Sequence, residues 1–271
     1  MSSIVEQTPR LSAPLVSRFR VPDPPTGGVR VLDADPDLAA RLTGARLREA
    51  RARLVARVMQ QSAGAWPGLE SQSAELGVLV LEGVLVREIL MEDTVSAELL
   101  GAGDLLRARP ADHPARLLRS NVRWTVLSPA RVAVLGSRCA AVVAVYPEVH
   151  AALLDRVADR AERLAITQAI CQLNGVDRRV LHMLWHLAER WGRVTAGGVV
   201  LPLPLPHRIL ASLVGARRPT VSTALARLAS DGTVQRRADG TWLLRGDPVG
   251  LPTAETSRVV PFRRRTGSVI E

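Results

Sequence analysis

Within the stretch LVGARRPTVSTALARL, Leu213 to Leu228, five polar side chains occupy positions that an apolar helical pattern leaves facing outward: Arg217, Arg218, Ser222, Thr223 and Arg227. A guanidinium is a planar fork of donors that fits a phosphate or the O6 and N7 edge of guanine. A hydroxyl reaches either a phosphate or a base edge. Gathered on the first half and flank of one helix, such groups are equipped for nucleic-acid recognition. Pro219 and Thr220, between the arginine pair and the hydroxyls, complete the candidate contact set.

Those side chains need a rigid support, and the flanking residues supply one. HRILASLVGARRPTVSTALA, His207 to Ala226, fits a helix-turn-helix. Leu210, Leu213 and Val214 make the inner face of a first helix, and Val221, Ala224, Leu225 and Leu228 that of a second. Ala211 is small where the helices would cross. Gly215 stands where the chain must turn with positive φ. Pro219 falls in the first turn of the second helix, where a missing N–H does no harm. TVQRRADGTWLLRG follows, two β runs joined by Ala238-Asp239-Gly240, which reads as a wing bringing Arg236 and Arg237 near a DNA backbone.

Other chemistries find less support. His182 and His186 stand at i and i+4, but no third ligand lies nearby, and leucines and tryptophans surround them. Cys139 and Cys171 make neither a disulfide framework nor a metal set and read as buried thiols. Gly101-Ala102-Gly103-Asp104 lacks the third glycine and following helix of a dinucleotide site and reads as a β-turn. With no nucleophile–base pair or paired carboxylates in apolar surroundings, no enzyme and no cofactor are expected.

Charge agrees with the nucleic-acid reading. All 36 basic residues are arginine, which hints at a coding bias, so their distribution is more telling than their number. Residues 1–176 hold 21 arginines against 19 acids, whereas residues 177–250 hold 11 against 5 and the tail from Leu251 holds 4 against 2. The excess sits at the C-terminal end. No apolar run is long enough to span a bilayer. The N-terminus lacks the apolar core of a signal peptide, so a cytoplasmic location is expected.

Upstream, the chain divides by texture. Residues 1–28 are rich in Pro, Ser and Gly and are expected to be a flexible N-terminus. From Asp35-Pro36 a helical prelude runs through Leu38, Leu42, Leu47, Leu54, Val55 and Met59, broken near Thr43-Gly44. LGVLVLEGVLVREI reads as two short strands about Glu82-Gly83, SAELLGAGDLLR as another, and VRWTVLSPARVAVLG as two more about Ser-Pro. These predict a small antiparallel barrel or sandwich within residues 29–146. From Pro147 to residue 175 Val149, Leu153, Val157, Ala161, Leu164, Gln168 and Cys171 step by 4, 4, 4, 3, 4 and 3, an apolar stripe broken only at Gln168. A long narrow stripe with charged flanks (Arg156, Asp159, Arg160 and Glu162 lie opposite) favours pairing with a second copy over packing at home. Residues 176–250 form the winged helix-turn-helix unit, and residues 251–271 a basic flexible tail.

The whole arrangement resembles the Crp/Fnr family of bacterial transcription regulators over about residues 70–247. The resemblance is strongest at LVGARRPTVSTALARL and its wing, then at ELLGAGDLLR. WHLAERWGRV and LPLPLPHRIL look like actinobacterial members. It implies an α+β chain: an antiparallel β-roll of the cyclic-nucleotide-binding type with flanking helices, a long dimerisation helix and a C-terminal winged helix-turn-helix. It also implies a homodimeric regulator that reads an inverted-repeat operator in the major groove, with RNA polymerase as a further candidate partner. Arg218 matches the position where the best-known members place a guanine-reading arginine. Pro219 stands where they are usually acidic and Thr223 where they place a later arginine, so the operator should differ from theirs. The family's nucleotide box takes a Phe-Gly-Glu run; Asp104-Leu105-Leu106-Arg107 stands there instead. Arg119 and Ser120 match the phosphate-binding pair without the glutamate for the ribose, so the effector is left open. The alternative from another class is a ligand-binding or protein-interaction module whose helix-turn-helix contacts protein.

Overall fold

The computed structural model describes residues 27–67, 69, 74–107, 118 and 120–246. In chain order these form β1 (Gly28–Arg30), α1 (Val31–Ala34), a single 3-10 turn (Pro36–Ala39), α2 (Gly44–Arg53), β2 (Val55–Gln61) and β3 (Gly64–Ala65). The roll continues with β4 (Gly77–Met91), β5 (Thr94–Gly101), β6 (Leu105–Leu106) and β7 (Asn121–Leu135). Then come α3 (Ser137–Val143), α4 (Pro147–Cys171), α5 (Val176–Trp191), β8 (Arg193–Thr195), β9 (Gly198–Leu201), α6 (His207–Val214), α7 (Arg218–Ser230), β10 (Val234–Arg236) and β11 (Trp242–Leu244). The N-terminal sheet is antiparallel in the order β1-β2-β7-β4-β5, with β3 on β7 and β6 on β4. The C-terminal sheet runs β10-β11-β9-β8. An N-terminal β-roll, intervening helices and a winged helix-turn-helix are thus all present.

β4 shows how one strand serves three cores. Its side chains alternate, so Val78 and Val80 enter the roll with Trp124, Val126 and Val132, while Leu79 and Leu81 face out beneath α3 and α4. Register shifts between Val80 and Leu85 mark a bulge around Gly83. Beyond it the parity reverses: Leu85 points into the roll, and Val84 and Val86 face out toward the winged domain. Gly83 has φ +88, and an added Cβ would meet the Ala130 Cα at 2.6 Å.

Several sequence expectations are corrected here. Glu82-Gly83 does not divide two strands, nor does Ser128-Pro129; β4 and β7 are each one strand of 15 residues. The irregularities face each other, and the Ser128 hydroxyl accepts the Val84 N–H at 3.0 Å, satisfying a donor that the bulge frees. Val55 and Met59 are not helical but lie in β2, paired with β7, because helix α2 has already ended at Arg53. The hairpin β8–β9, which pairs with the wing strand β11, was not foreseen.

The prelude also changes the reading of α4. Leu38 and Leu42 pack in one cluster with Val149 and Leu153, which are 1% and 3% exposed. Arg46 bonds Glu148 at 3.0 Å and Arg41 bonds Asp155 at 3.2 Å across that seam. Val149 and Leu153 therefore have no surface to offer a partner, a correction to the proposed pairing stripe. The exposed large apolar side chains further along are Leu154, Val157, Leu164 and Ile166; the first three fall on one stripe with the exposed Ala161 and Gln168, and Ile166 lies off it. Positions 154, 157, 161, 164 and 168 step by 3, 4, 3 and 4, the spacing of a coiled-coil seam.

Candidate nucleic-acid interface

Helices α6 and α7 meet on the predicted residues. Ile209, Leu210, Ala211, Leu213 and Val214 are buried on α6, and Val221, Ala224, Leu225 and Leu228 on α7. Gly215 ends α6 in the left-handed region, φ 60°, and its own Cβ position is open. That left-handed step turns the chain within three residues, so that Arg217 caps α7 from extended backbone and Pro219 occupies its first turn. With its apolar face locked, α7 turns outward Arg217, Arg218, Pro219, Thr220, Thr223 and Arg227, all exposed, with Ser222 half-buried. The guanidinium groups of Arg217 and Arg218 have no hydrogen-bond or ion-pair partner among the described residues, although the Arg217 and Arg218 carbonyls accept from Val221 N–H and the Ser222 hydroxyl. Arg227 reaches Asp177 of α5 at 3.2 Å, with both side chains substantially solvated.

The wing is held close to this helix. Its turn is closed by Arg237 N–H to Thr241 O (2.8 Å) and Gly240 N–H to Arg237 O (2.9 Å). Asp239 accepts both the N–H and the hydroxyl of Thr241, which hold its carboxyl below the usual range. Arg236 lies 5.6 Å from the Trp242 ring centroid, and Arg237 stands 4.0 Å from Asp239. Arg236 and Arg237 are both exposed beside α7. Between wing and α7 lies His207, the first residue of α6. Its Nδ1 is 2.9 Å from Ser222 Oγ and its ring 6.3 Å from that of Trp242. Burial pushes the His207 imidazole below its ordinary pKa, and the positive fields of Arg236 and Arg218 push the same way.

The winged domain is docked on the roll through buried carboxylates. Glu88 of β4 has a fully buried side chain that accepts from Arg123 of β7 and from Arg208 of α6. Asp104, 2% exposed in the Gly101–Asp104 turn, accepts the Gly101 N–H at 2.8 Å and is clamped by Arg163 of α4 and Arg190 of α5. Glu98 binds Arg87 at 2.9 Å and Arg160 at 2.6 Å. The sequence reading missed all three, because their partners lie between 11 and 120 positions away.

The remaining site residues are less concentrated. Along α4, Val157, Ala161, Leu164 and Gln168 are exposed, while the Cys171 thiol bonds the Leu213 carbonyl at 3.3 Å and so faces α6. Of the effector pair, Arg119 lies outside the described residues; Ser120 is half-buried just before β7. His182 and His186 do not converge on a common point: one contacts the Arg178 carbonyl (2.7 Å), the other Glu189 (3.1 Å). No described helix is long and apolar enough to cross a membrane.

Residues 178–247 match the Crp-like helix-turn-helix domain family, which takes in α5, the hairpin β8–β9, both recognition-motif helices and the wing. A CooA mutant from Carboxydothermus hydrogenoformans superposes with TM-score 0.57 at 18% identity, covering 77% of this chain and 91% of that one. FixK2 from Bradyrhizobium japonicum gives 0.54 at 17%, covering 71% and 94%. The c-di-GMP-responsive regulator CLP of Xanthomonas campestris gives 0.51 at 16%, covering 71% and 95%. At such identities these are likenesses of fold. No curated protein matches the sequence.

Proposed function

We propose that this chain, by its C-terminal domain and its fold a DNA-binding transcription regulator of the Crp/Fnr family, works as a homodimer on an inverted-repeat operator. The observation that carries the reading is the outer face of α7. Four apolar residues anchor the helix from beneath, while the guanidinium groups of the arginine pair at its start are exposed and form no hydrogen bond or ion pair among the described residues. Placed in a major groove, Arg218 would take guanine O6 and N7, and Ser222 and Thr223 would reach neighbouring base edges. Arg217, Arg227, Arg236 and Arg237 would grip phosphates and fix the register.

Two such helices need a fixed separation, about 34 Å for successive turns of B-DNA. The seam of Leu154, Val157, Ala161, Leu164 and Gln168 on α4 supports pairing of two copies along that helix. An aspartate at Leu164 would bury an unpaired charge at the seam. Leu164→Asp is expected to convert the dimer to monomer in sedimentation equilibrium at micromolar protein, with little change in secondary structure. Because Leu164 is 39% exposed in the single chain, a variant that simply unfolds would point to a core role and against the seam.

The roll would bias the dimer between arrangements with different DNA affinity, as any ligand with unequal affinity for two states does. For the DNA contact itself the test is selection of sites from random duplexes, followed by Arg218→Ala. A loss of about 1–3 kcal/mol concentrated at one base pair of each half-site is expected. A loss spread evenly over all sequences would make Arg218 a phosphate clamp.

A further inference from the structure

Ser222 has one hydroxyl hydrogen, and two internal hydrogen-bond partners flank its oxygen. Its Oγ lies 3.1 Å from the Arg218 carbonyl and 2.9 Å from His207 Nδ1. Either His207 Nδ1 carries a proton and donates to Oγ while the hydroxyl donates to Arg218 O, or the hydroxyl donates to a bare Nδ1. Under both tautomers the hydrogen stays within the protein, and only lone pairs face outward. Two ties, to different helices, also fix the χ1 rotamer. Thr223 differs: its hydroxyl has one local tie, to the Pro219 carbonyl at 3.2 Å, and is otherwise exposed. His207 is itself held by its packing near Trp242, and its depressed pKa keeps it from adding a third cation beside Arg218 and Arg236.

We propose that His207 is a specificity-determining residue that acts through Ser222, making it an obligate hydrogen-bond acceptor toward the operator. It then selects a base carrying an exocyclic amino group, adenine N6 or cytosine N4, over the carbonyl edges of guanine and thymine. The inference rests on α7 entering the major groove. His207 does not touch the base; it is a positioning residue, placed at the start of α6 and separated from Ser222 by 15 positions in sequence.

The experiment uses the full-length protein and its selected operator. Ser222→Ala first identifies the base pair read by Ser222, as the one position where preference disappears. At that position the adenine is replaced by purine, or the cytosine by pyrimidin-2-one, removing only the amino group. Wild type is expected to bind the analogue duplex about tenfold more weakly, with Ser222→Ala indifferent to the change. His207→Ala should reduce the discrimination to about twofold while preserving preferences at the other positions, and His207→Asn, whose amide reaches the place of Nδ1, should restore it. Equal wild-type affinity for natural and analogue duplexes overturns the proposal, as does a carbonyl-bearing base at that position whose amino-bearing partner is dispensable. A uniform loss in His207→Ala across all duplexes, with the melting temperature lowered, makes the histidine a structural support and also overturns it. A selected operator unmoved by His207→Ala overturns this proposal alone; failure to select any operator overturns the recognition reading with it.

Discussion

Arginine is the chain's only basic residue type besides its 5 histidines, yet it serves two regions differently. Where the roll meets α4, α5 and α6, arginines come in sets around two buried acids and one half-buried acid: Arg163 and Arg190 on Asp104, Arg123 and Arg208 on Glu88, and Arg160 and Arg87 on the half-buried Glu98. At the start of α7, Arg217 and Arg218 point to solvent with no described acid beside them. A paired guanidinium tightens the fold; an unpaired one on a rigid helix holds its donors ready for an outside anion. Residue type cannot separate the two roles in this sequence, but pairing can.

The sharpest contrast is expected from Asp104→Ala. Removing the shared carboxylate leaves Arg163 and Arg190 facing each other and frees the Gly101 N–H, at a cost of about 3 kcal/mol in urea unfolding. Arg218→Ala should leave that unfolding curve in place while losing operator affinity. Glu88 sharpens the comparison through pH. Burial pushes its carboxyl up, but the hydrogen bond from Arg123 and the charge and hydrogen bond of Arg208 outweigh burial and hold it below the ordinary glutamate range. A depressed carboxylate stabilises the fold above its unfolded-state pKa, and that contribution disappears as pH falls through the folded value. Wild type should therefore lose stability on acidification from pH 7 to below the ordinary glutamate range. Glu88→Gln should start about 1–2 kcal/mol lower, reduced because both arginines are about half solvated, and show a flatter acid limb. The smallest effect belongs to Arg227, already shared with Asp177. Arg227→Ala should weaken all duplexes alike, and the slope of log affinity against log salt should fall by about 0.9, the share of one neutralised phosphate. A base-specific loss there would break the division between gripping and reading.

Much of this arrangement was legible in the sequence wherever local geometry demanded a particular residue. Gly215 and Pro219 announced the turn and restart of the recognition motif, Gly240 the wing, and the Gly101–Asp104 run the β-turn. What escaped depended on distant partners. Gly83 and Pro129 read as strand breaks, but lying opposite one another they form a matched bulge inside two continuous strands. Val149 and Leu153 fit the pairing stripe by spacing, yet Leu38 and Leu42, more than a hundred residues earlier, already cover them. Periodicity records which side of a helix is apolar and is silent on what packs there. The short β8–β9 hairpin has a local signal of its own, β-rich runs on both sides of Ala196-Gly197-Gly198. The buried acids had none, since Glu88 and Asp104 are unremarkable letters until arginines from other elements converge on them.

Stoichiometry on a selected operator tests the central claim most directly. Purified protein titrated onto a labelled inverted-repeat duplex at 50 and 200 mM salt should saturate at two chains per duplex, with affinity falling steeply as salt rises because several arginines displace counterions from phosphates. One chain bound per duplex, or an affinity indifferent to salt, would contradict the account.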